Sequence, residues 1–150
     1  MKIAILCGSV FGAAEDVARH ASGLLRHAGH EVLCNIRLTQ AELLAFAPQA
    51  LLGVTSSTGM GELPDNLQPL FYQLRDELPA ALRGLPGGVI ALGDSSYDDT
   101  FCGGGEQLRE LFGELGINEL QDMLRLDASE TVTPDTDAEP WLAQWMQRLA

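Results

Sequence analysis

Ala50-Leu51-Leu52-Gly53-Val54-Thr55-Ser56-Ser57-Thr58-Gly59-Met60-Gly61-Glu62-Leu63-Pro64-Asp65-Asn66 is the stretch that decides the fold. It opens as an apolar run, Ala50 to Val54, and Ala50 to Thr55 reads as the third strand. It passes through a hydroxyl cluster with two glycines. It ends at Pro64, a residue suited to the first turn of a helix. Beyond Pro64, Leu67, Leu70, Phe71, Leu74 and Leu78 fall at helical spacing and make one apolar face. An uninterrupted apolar strand followed by an amphipathic helix is the unit of a parallel sheet covered on both sides.

The same unit recurs in both directions. Upstream, Lys2 to Cys7 is apolar and bounded by Gly8, and Ala14, Val17, Ala18, Ala21, Leu24, Leu25 and Ala28 predict a helix over 13–28, stopped by Gly29. Glu31 to Ile36 reads as a less buried strand, and Thr39-Gln40-Ala41-Glu42 as an N-cap opening a short helix. Downstream, Gly88 to Leu92 is the fourth strand. Leu108, Leu111, Phe112 and Leu115 mark a helix that ends at Gly116, and residues near 120–126 give the fifth strand. Residues 131–140 read as polar loop, and Trp141, Leu142, Trp145 and Leu149 stripe a last helix, the two tryptophans as core anchors. The alternation predicts an α/β fold: a doubly wound five-stranded parallel sheet, order 2-1-3-4-5, with helices on both faces. No linker or repeat interrupts residues 1–150, so one domain is expected.

Composition narrows the partners. Nine Lys and Arg against 21 Asp and Glu give a net charge of -12. That disfavours nucleic acid and anionic membrane. No apolar run reaches about 18 residues, and Gly8 ends the N-terminal apolar run too early for a signal peptide, so a cytoplasmic protein is expected. Cys7, Cys34 and Cys102 are far apart, without metal-ligand spacing, and read as free thiols; His20, His27 and His30 read as structural or solvated.

In a sheet of this order the ligand sits beyond the carboxyl ends of strands one, three and four. Three loops lie there. Gly8-Ser9-Val10-Phe11-Gly12-Ala13-Ala14 enters a helix N-terminus, whose free amides and dipole suit a phosphate held by neutral donors. An ordinary strand-to-helix turn is the alternative. The motif is neither GxGxxG nor a P-loop, so a triphosphate with Mg²⁺ is disfavoured. The second loop is the hydroxyl cluster above. The third, Gly93-Asp94-Ser95-Ser96-Tyr97-Asp98-Asp99-Thr100-Phe101-Cys102-Gly103-Gly104-Gly105, holds one Tyr that would stack on a flat heterocycle or simply sit at the surface. These loops carry Glu62, Asp65, Asp94, Asp98 and Asp99 and no Lys or Arg, an acidity that would steer a basic partner or serve solubility.

Taken together the loops resemble the flavodoxins, and within them the short-chain MioC/YqcA-type. The carrying residues are Gly8 to Glu15, Ser57 to Asn66, Gly93-Asp94-Ser95-Ser96-Tyr97 and Phe101-Cys102-Gly103, with Leu126-Asp127-Ala128-Ser129-Glu130 and Pro140-Trp141. The resemblance implies non-covalent FMN and a carrier of single electrons rather than an enzyme, and acids near the ring would make the reduced protein a low-potential donor. Its implied donor is a flavodoxin/ferredoxin-NADP reductase, its acceptor an iron-sulfur or haem enzyme, and its state a monomer. By position, Ser9, Val10, Phe11, Gly12, Ala13 and Ala14 would hold the ribityl phosphate. Ser56, Ser57, Thr58, Gly59, Met60 and Gly61 would line the inner flavin face, and Tyr97 would stack outside. Backbone near Gly93, Asp94, Phe101, Cys102 and Gly103 would meet the pyrimidine edge. Gly59, with Gly61 as fallback, aligns with the peptide that turns toward reduced flavin. The chain departs from many relatives in having Phe11 and Ala14 where they have Thr, Thr58 where they have Trp or Tyr, and one extra residue between Tyr97 and Phe101. An FMN-dependent NAD(P)H quinone reductase and a non-flavin binding module are the competing functions.

Overall fold

The structure is a computed structural model that describes residues 1–58, 61–96 and 101–149. An inner strand of its sheet is β1 (Lys2–Gly8), in which Ile3 to Leu6 are almost wholly buried. β1 pairs in parallel with β2 (Glu31–Cys34) on one side and β3 (Ala50–Thr55) on the other. β4 (Pro86–Gly93) follows β3, and with β5 (Asn118–Glu119) beside it the order is β2-β1-β3-β4-β5 as expected.

Side chains alternate across a strand, so one run feeds two cores. Ile3, Ile5 and Cys7 pack with Val17, Ala21 and Leu25 of α1 (Ala13–His27) and Leu142 and Trp145 of α6 (Glu139–Leu149). Ala4 and Leu6 face the other way. They join Leu43 of α2 (Gln40–Phe46), Leu70 and Leu74 of α3 (Gln68–Glu77), and Leu108 and Phe112 of α4 (Gly103–Leu115). Thr39 and Glu42 form the expected capping box on α2. The Trp145 ring lies over Gly88, where a Cβ would stand 2.8 Å from its Nε1, and Trp141 stacks on it at 6.3 Å between ring centroids. Both tryptophans are therefore packing groups, remote from the strand-end loops.

β4 begins at Pro86 rather than the expected Gly88, and four further boundaries differ from the sequence reading. The fifth sheet position is split into β5 (Asn118–Glu119) and β6 (Leu124–Asp127), each pairing with a different part of β4. Trp141 occupies the break: its Nε1 donates to the Asp122 carbonyl at 2.8 Å, and Gln121 donates to the Trp141 carbonyl at 2.8 Å. α3 starts at Gln68 rather than Pro64, because Asp65–Leu67 form a turn closed by Leu67 N donating to Pro64 O at 3.0 Å. β2 stops at Cys34, where the Asn35 side chain accepts the Arg37 amide at 2.9 Å and turns the chain. Residues 131–140 are not all loop. Pro134 opens a short helix, α5 (Pro134–Asp137), with Asp135 at its positive end, and α6 begins at Glu139. His20 Nε2 meets Glu139 Oε1 at 2.7 Å and ties α1 to α6, away from the strand ends.

Candidate cofactor site

A cavity of about 680 Å³ opens beyond the carboxyl ends of β1, β3, β4 and β6. Its first wall is the turn from β1 into α1. Gly8 lets this turn start close to β3, since a Cβ there would lie 2.4 Å from Thr55 Oγ1. Ser9 Oγ accepts the Gly12 amide at 3.0 Å, leaving its own proton free to donate. Gly12 takes φ 92°, a left-handed conformation costly for a residue with a Cβ, and the helix begins directly after it. Among the described residues, the amides of Val10, Phe11, Ala13 and Ala14 meet no protein acceptor. They are the unpaired donors of a helix start, at the positive end of a fifteen-residue helix.

The second wall follows β3. Ser56 N donates to Gly8 O at 2.9 Å, and Ser57 Oγ accepts the Gly104 amide at 2.7 Å. The loop closes on itself through Thr58 N to Glu62 O and Gly61 N to Thr58 O, both 2.9 Å, with Gly61 at φ 76°. Ser56, Ser57 and Thr58 line the cavity. Gly59 and Met60 lie outside the described residues. The Gly61 carbonyl accepts Gln107 Nε2 at 2.9 Å.

The third wall follows β4. Leu92, Gly93 and Asp94 line the cavity. Asp94 Oδ1 is occupied by the Ser96 amide at 2.9 Å and the Ser96 hydroxyl at 2.6 Å. Tyr97 lies outside the described residues. Phe101, Cys102 and Gly103 support the wall rather than line it. Cys102 is buried, with its amide 2.8 Å from where a Gly93 Cβ would be. Burial pushes its thiol up to about 11, which keeps it protonated. Gly103 presses on Gly61, where a Cβ would meet the Gly61 carbonyl oxygen at 2.6 Å. Ser9, Gly12, Ala14 and Gly61 likewise shape the walls from behind.

Two elements went unrecognised as parts of the site. Asn66 staples the first loop: its Oδ1 accepts the Ser9 amide at 2.9 Å, and its Nδ2 donates to Cys7 O at 2.8 Å and Ile36 O at 2.7 Å. Leu126 of β6 and, beyond that strand, Ala128, Thr131, Val132 and Pro134 join the lining. The only sequence signal for the latter is the stretch Leu126 to Glu130, noticed for its resemblance alone.

A small-molecule site spans about 300–1,000 Å³ and is mostly apolar with a few placed donors. This one is apolar along Val10, Leu92, Leu126 and Val132, and holds its neutral amide cluster at the mouth of α1. No Lys or Arg is among the described lining residues. A flat ring joined to a single phosphate fits that division, and a triphosphate does not.

Comparison with known proteins agrees with this geometry. The flavodoxin family model matches residues 5–141. The chain is 39% identical to flavodoxin YqcA of Escherichia coli over 96% of this chain and 95% of that one. It is 31% identical to the Escherichia coli protein MioC, over 98% and 97%. A flavodoxin from Pseudomonas aeruginosa, solved as a cysteine-to-alanine variant, superposes with a TM-score of 0.95 at 69% identity, covering 99% of each chain. Oxidised flavodoxin 1 of Bacillus cereus shares the fold, with a TM-score of 0.85 at 20% identity. FMN is the cofactor of this family, and the amides of Val10, Phe11, Ala13 and Ala14 fit its phosphate. The apolar cavity, the strand order and the matched span leave one assignment: the chain belongs to the flavodoxin family.

Proposed function

We propose that this chain is a low-potential electron carrier that takes single electrons from a basic NADP-linked reductase and delivers them to a redox enzyme. The observation that supports it most is the pairing of a cluster of uncharged amides at the start of α1 with an apolar cavity whose described lining holds one acid, Asp94, and no base. Bound there, FMN supplies the one-electron chemistry. The chain's residues do the rest. Neutral amides hold the phosphate without adding positive charge near the ring. Leu92, Leu126 and Val132 keep water from it. Asp94, on the wall, disfavours extra negative charge in the cavity and so lowers the potential at which an electron is accepted.

Glu62 and Asp65 are exposed beside the second loop, and Glu130 and Asp135 stand beyond β6. With a net charge of -12 they favour a basic surface as docking partner. The expected experiment has three parts. The purified protein carries FMN. It is reduced by NADPH only when a ferredoxin/flavodoxin-type reductase is added. The rate falls as salt is raised. Rapid direct oxidation of NADPH by the protein alone would instead support a quinone reductase, and a rate indifferent to salt would remove the docking argument.

A further inference from the structure

The β1–α1, β3–α3 and β4–α4 loops account for only part of the cavity wall. The rest comes from the chain after β6, where Thr131 and Val132 line the same space as Val10 and Phe11. Val132 is 95% exposed and Phe11 98% exposed, so two large apolar side chains stand in water at the rim of an apolar cavity. Such groups gain by contact with whatever fills the cavity.

The backbone that carries Val132 is firmly held. Asp127 Oδ1 accepts the Ser95 amide at 3.0 Å and the Ser129 amide at 2.9 Å, and Ser95 Oγ meets Ser129 Oγ at 2.9 Å. Ala128 N donates to Gly93 O at 2.8 Å, and Thr131 N to Asp127 O at 3.1 Å. Thr131 Oγ1 donates to Asp137, and α5 packs against α1. The segment is thus bonded both to the β4–α4 loop and, through α5, to the helix that begins at the phosphate cradle. Its position is set before any ligand arrives, which reduces the ordering cost of a contact made there.

From this we infer that residues 128–134 are a fourth binding element for the flavin nucleotide, with Val132 and Phe11 closing on it from separate loops. The inference rests on the reading of FMN as the cofactor. It deepens that reading by assigning retention of the nucleotide to a segment outside the three expected loops. A second occupant, an apolar patch on a redox partner, is separated by the test.

The test uses the full chain stripped of cofactor and titrated with FMN, followed by quenching of flavin fluorescence. Release is followed after dilution. Val132→Ser and Phe11→Ser are each expected to weaken FMN binding by about 10-fold, mainly through faster release. Because both side chains stand in solvent, the melting temperature of the cofactor-free protein should not change, which separates the effect from misfolding. Wild-type affinity and release in Val132→Ser would overturn the inference while leaving the cofactor reading intact. Unchanged release with a raised KM for the reductase would assign the patch to partner docking and overturn it too. Wild-type protein that takes up no FMN would overturn the cofactor reading, and this inference with it.

Discussion

The backbone amide of Ser9 donates to Asn66 Oδ1 at 2.9 Å, joining the turn from β1 into α1 to a residue at the far end of the second loop, 57 positions away. The same side chain donates to the carbonyls of Cys7 and Ile36. One amide group therefore ties together the end of β1, the chain just after β2 and the return of the second loop. An Asn suits this place because it presents one acceptor and two donors in a plane.

Removing that group should cost more than an ordinary surface bond. Asn66→Ala leaves one amide and two carbonyls without partners, and it should destabilise the fold by about 2–4 kcal/mol, or roughly 5–15 °C in melting temperature for a domain of this size. Asn66→Asp keeps the acceptor for Ser9 but turns a carboxylate on two carbonyls, so it should be no better than Ala. Thermal melts of the two variants check this. A melting temperature of Asn66→Asp close to wild type would show that only the Ser9 bond matters.

The glycines of α4 separate close packing from helix propensity. A Cβ at Gly104 would stand 2.6 Å from Ser56 O and 3.0 Å from Ser57 Oγ, whereas at Gly113, on the same helix, it would meet nothing within 4 Å. Gly113→Ala should stabilise the protein by about 0.5–1 kcal/mol, the intrinsic gain of Ala in a helix. Gly104→Ala should destabilise it by about 1–3 kcal/mol, because the second loop must move away. FMN binding should weaken for Gly104→Ala alone. Chemical denaturation with flavin titration of both variants measures the contrast.

Asp127 gives a pH dependence with a definite sign. Hydrogen bonds from Ser95, then from Ser129, hold its carboxyl well below the usual carboxylate range. A depressed folded-state pKa contributes stability that is present above the unfolded value, about 3.9, and is lost as pH falls toward the folded one. Asp127→Asn should therefore melt below wild type at neutral pH, and the gap should narrow as the pH is lowered through about 4. Paired melts from pH 7 downward test it. A gap that stays constant in acid would mean that the charge contributes nothing beyond the geometry.

The frame of this molecule is legible because its signals are local. The continuous apolar run Lys2–Cys7 states that both faces of β1 are covered, and the uncharged turn from Gly8 to Ala14 states that a helix start is left open. What escaped detection is non-local. Asn66 looks like one more polar loop residue until the fold brings Ser9, Cys7 and Ile36 to it. Val132 is a single apolar residue among polar ones, with no period to mark it, and bonds to the loop after β4 together with the packing of α5 on α1 place it at the cavity. The split between β5 and β6 depends on Trp141 meeting Asp122, a pairing that no window of the sequence contains.

Asp94 offers a direct test of how the chain sets its potential. Its carboxylate stands on the cavity wall, held by Ser96 through Oδ1. Reduction adds electrons to the cofactor, and a fixed negative charge nearby opposes that addition. At the effective dielectric of a half-buried site the opposition amounts to about 0.5–1.5 kcal/mol, roughly 20–60 mV. Asp94→Asn keeps an acceptor for Ser96 and removes only the charge. It should raise the reduction potential by that amount, and the difference should shrink at high ionic strength. Asp76→Asn, on the last turn of α3 at the other end of the sheet, should leave the potential where it is. Potentiometric titration of the three proteins decides the matter: equal potentials for wild type and Asp94→Asn would move the tuning from charge to the shape and dryness of the cavity.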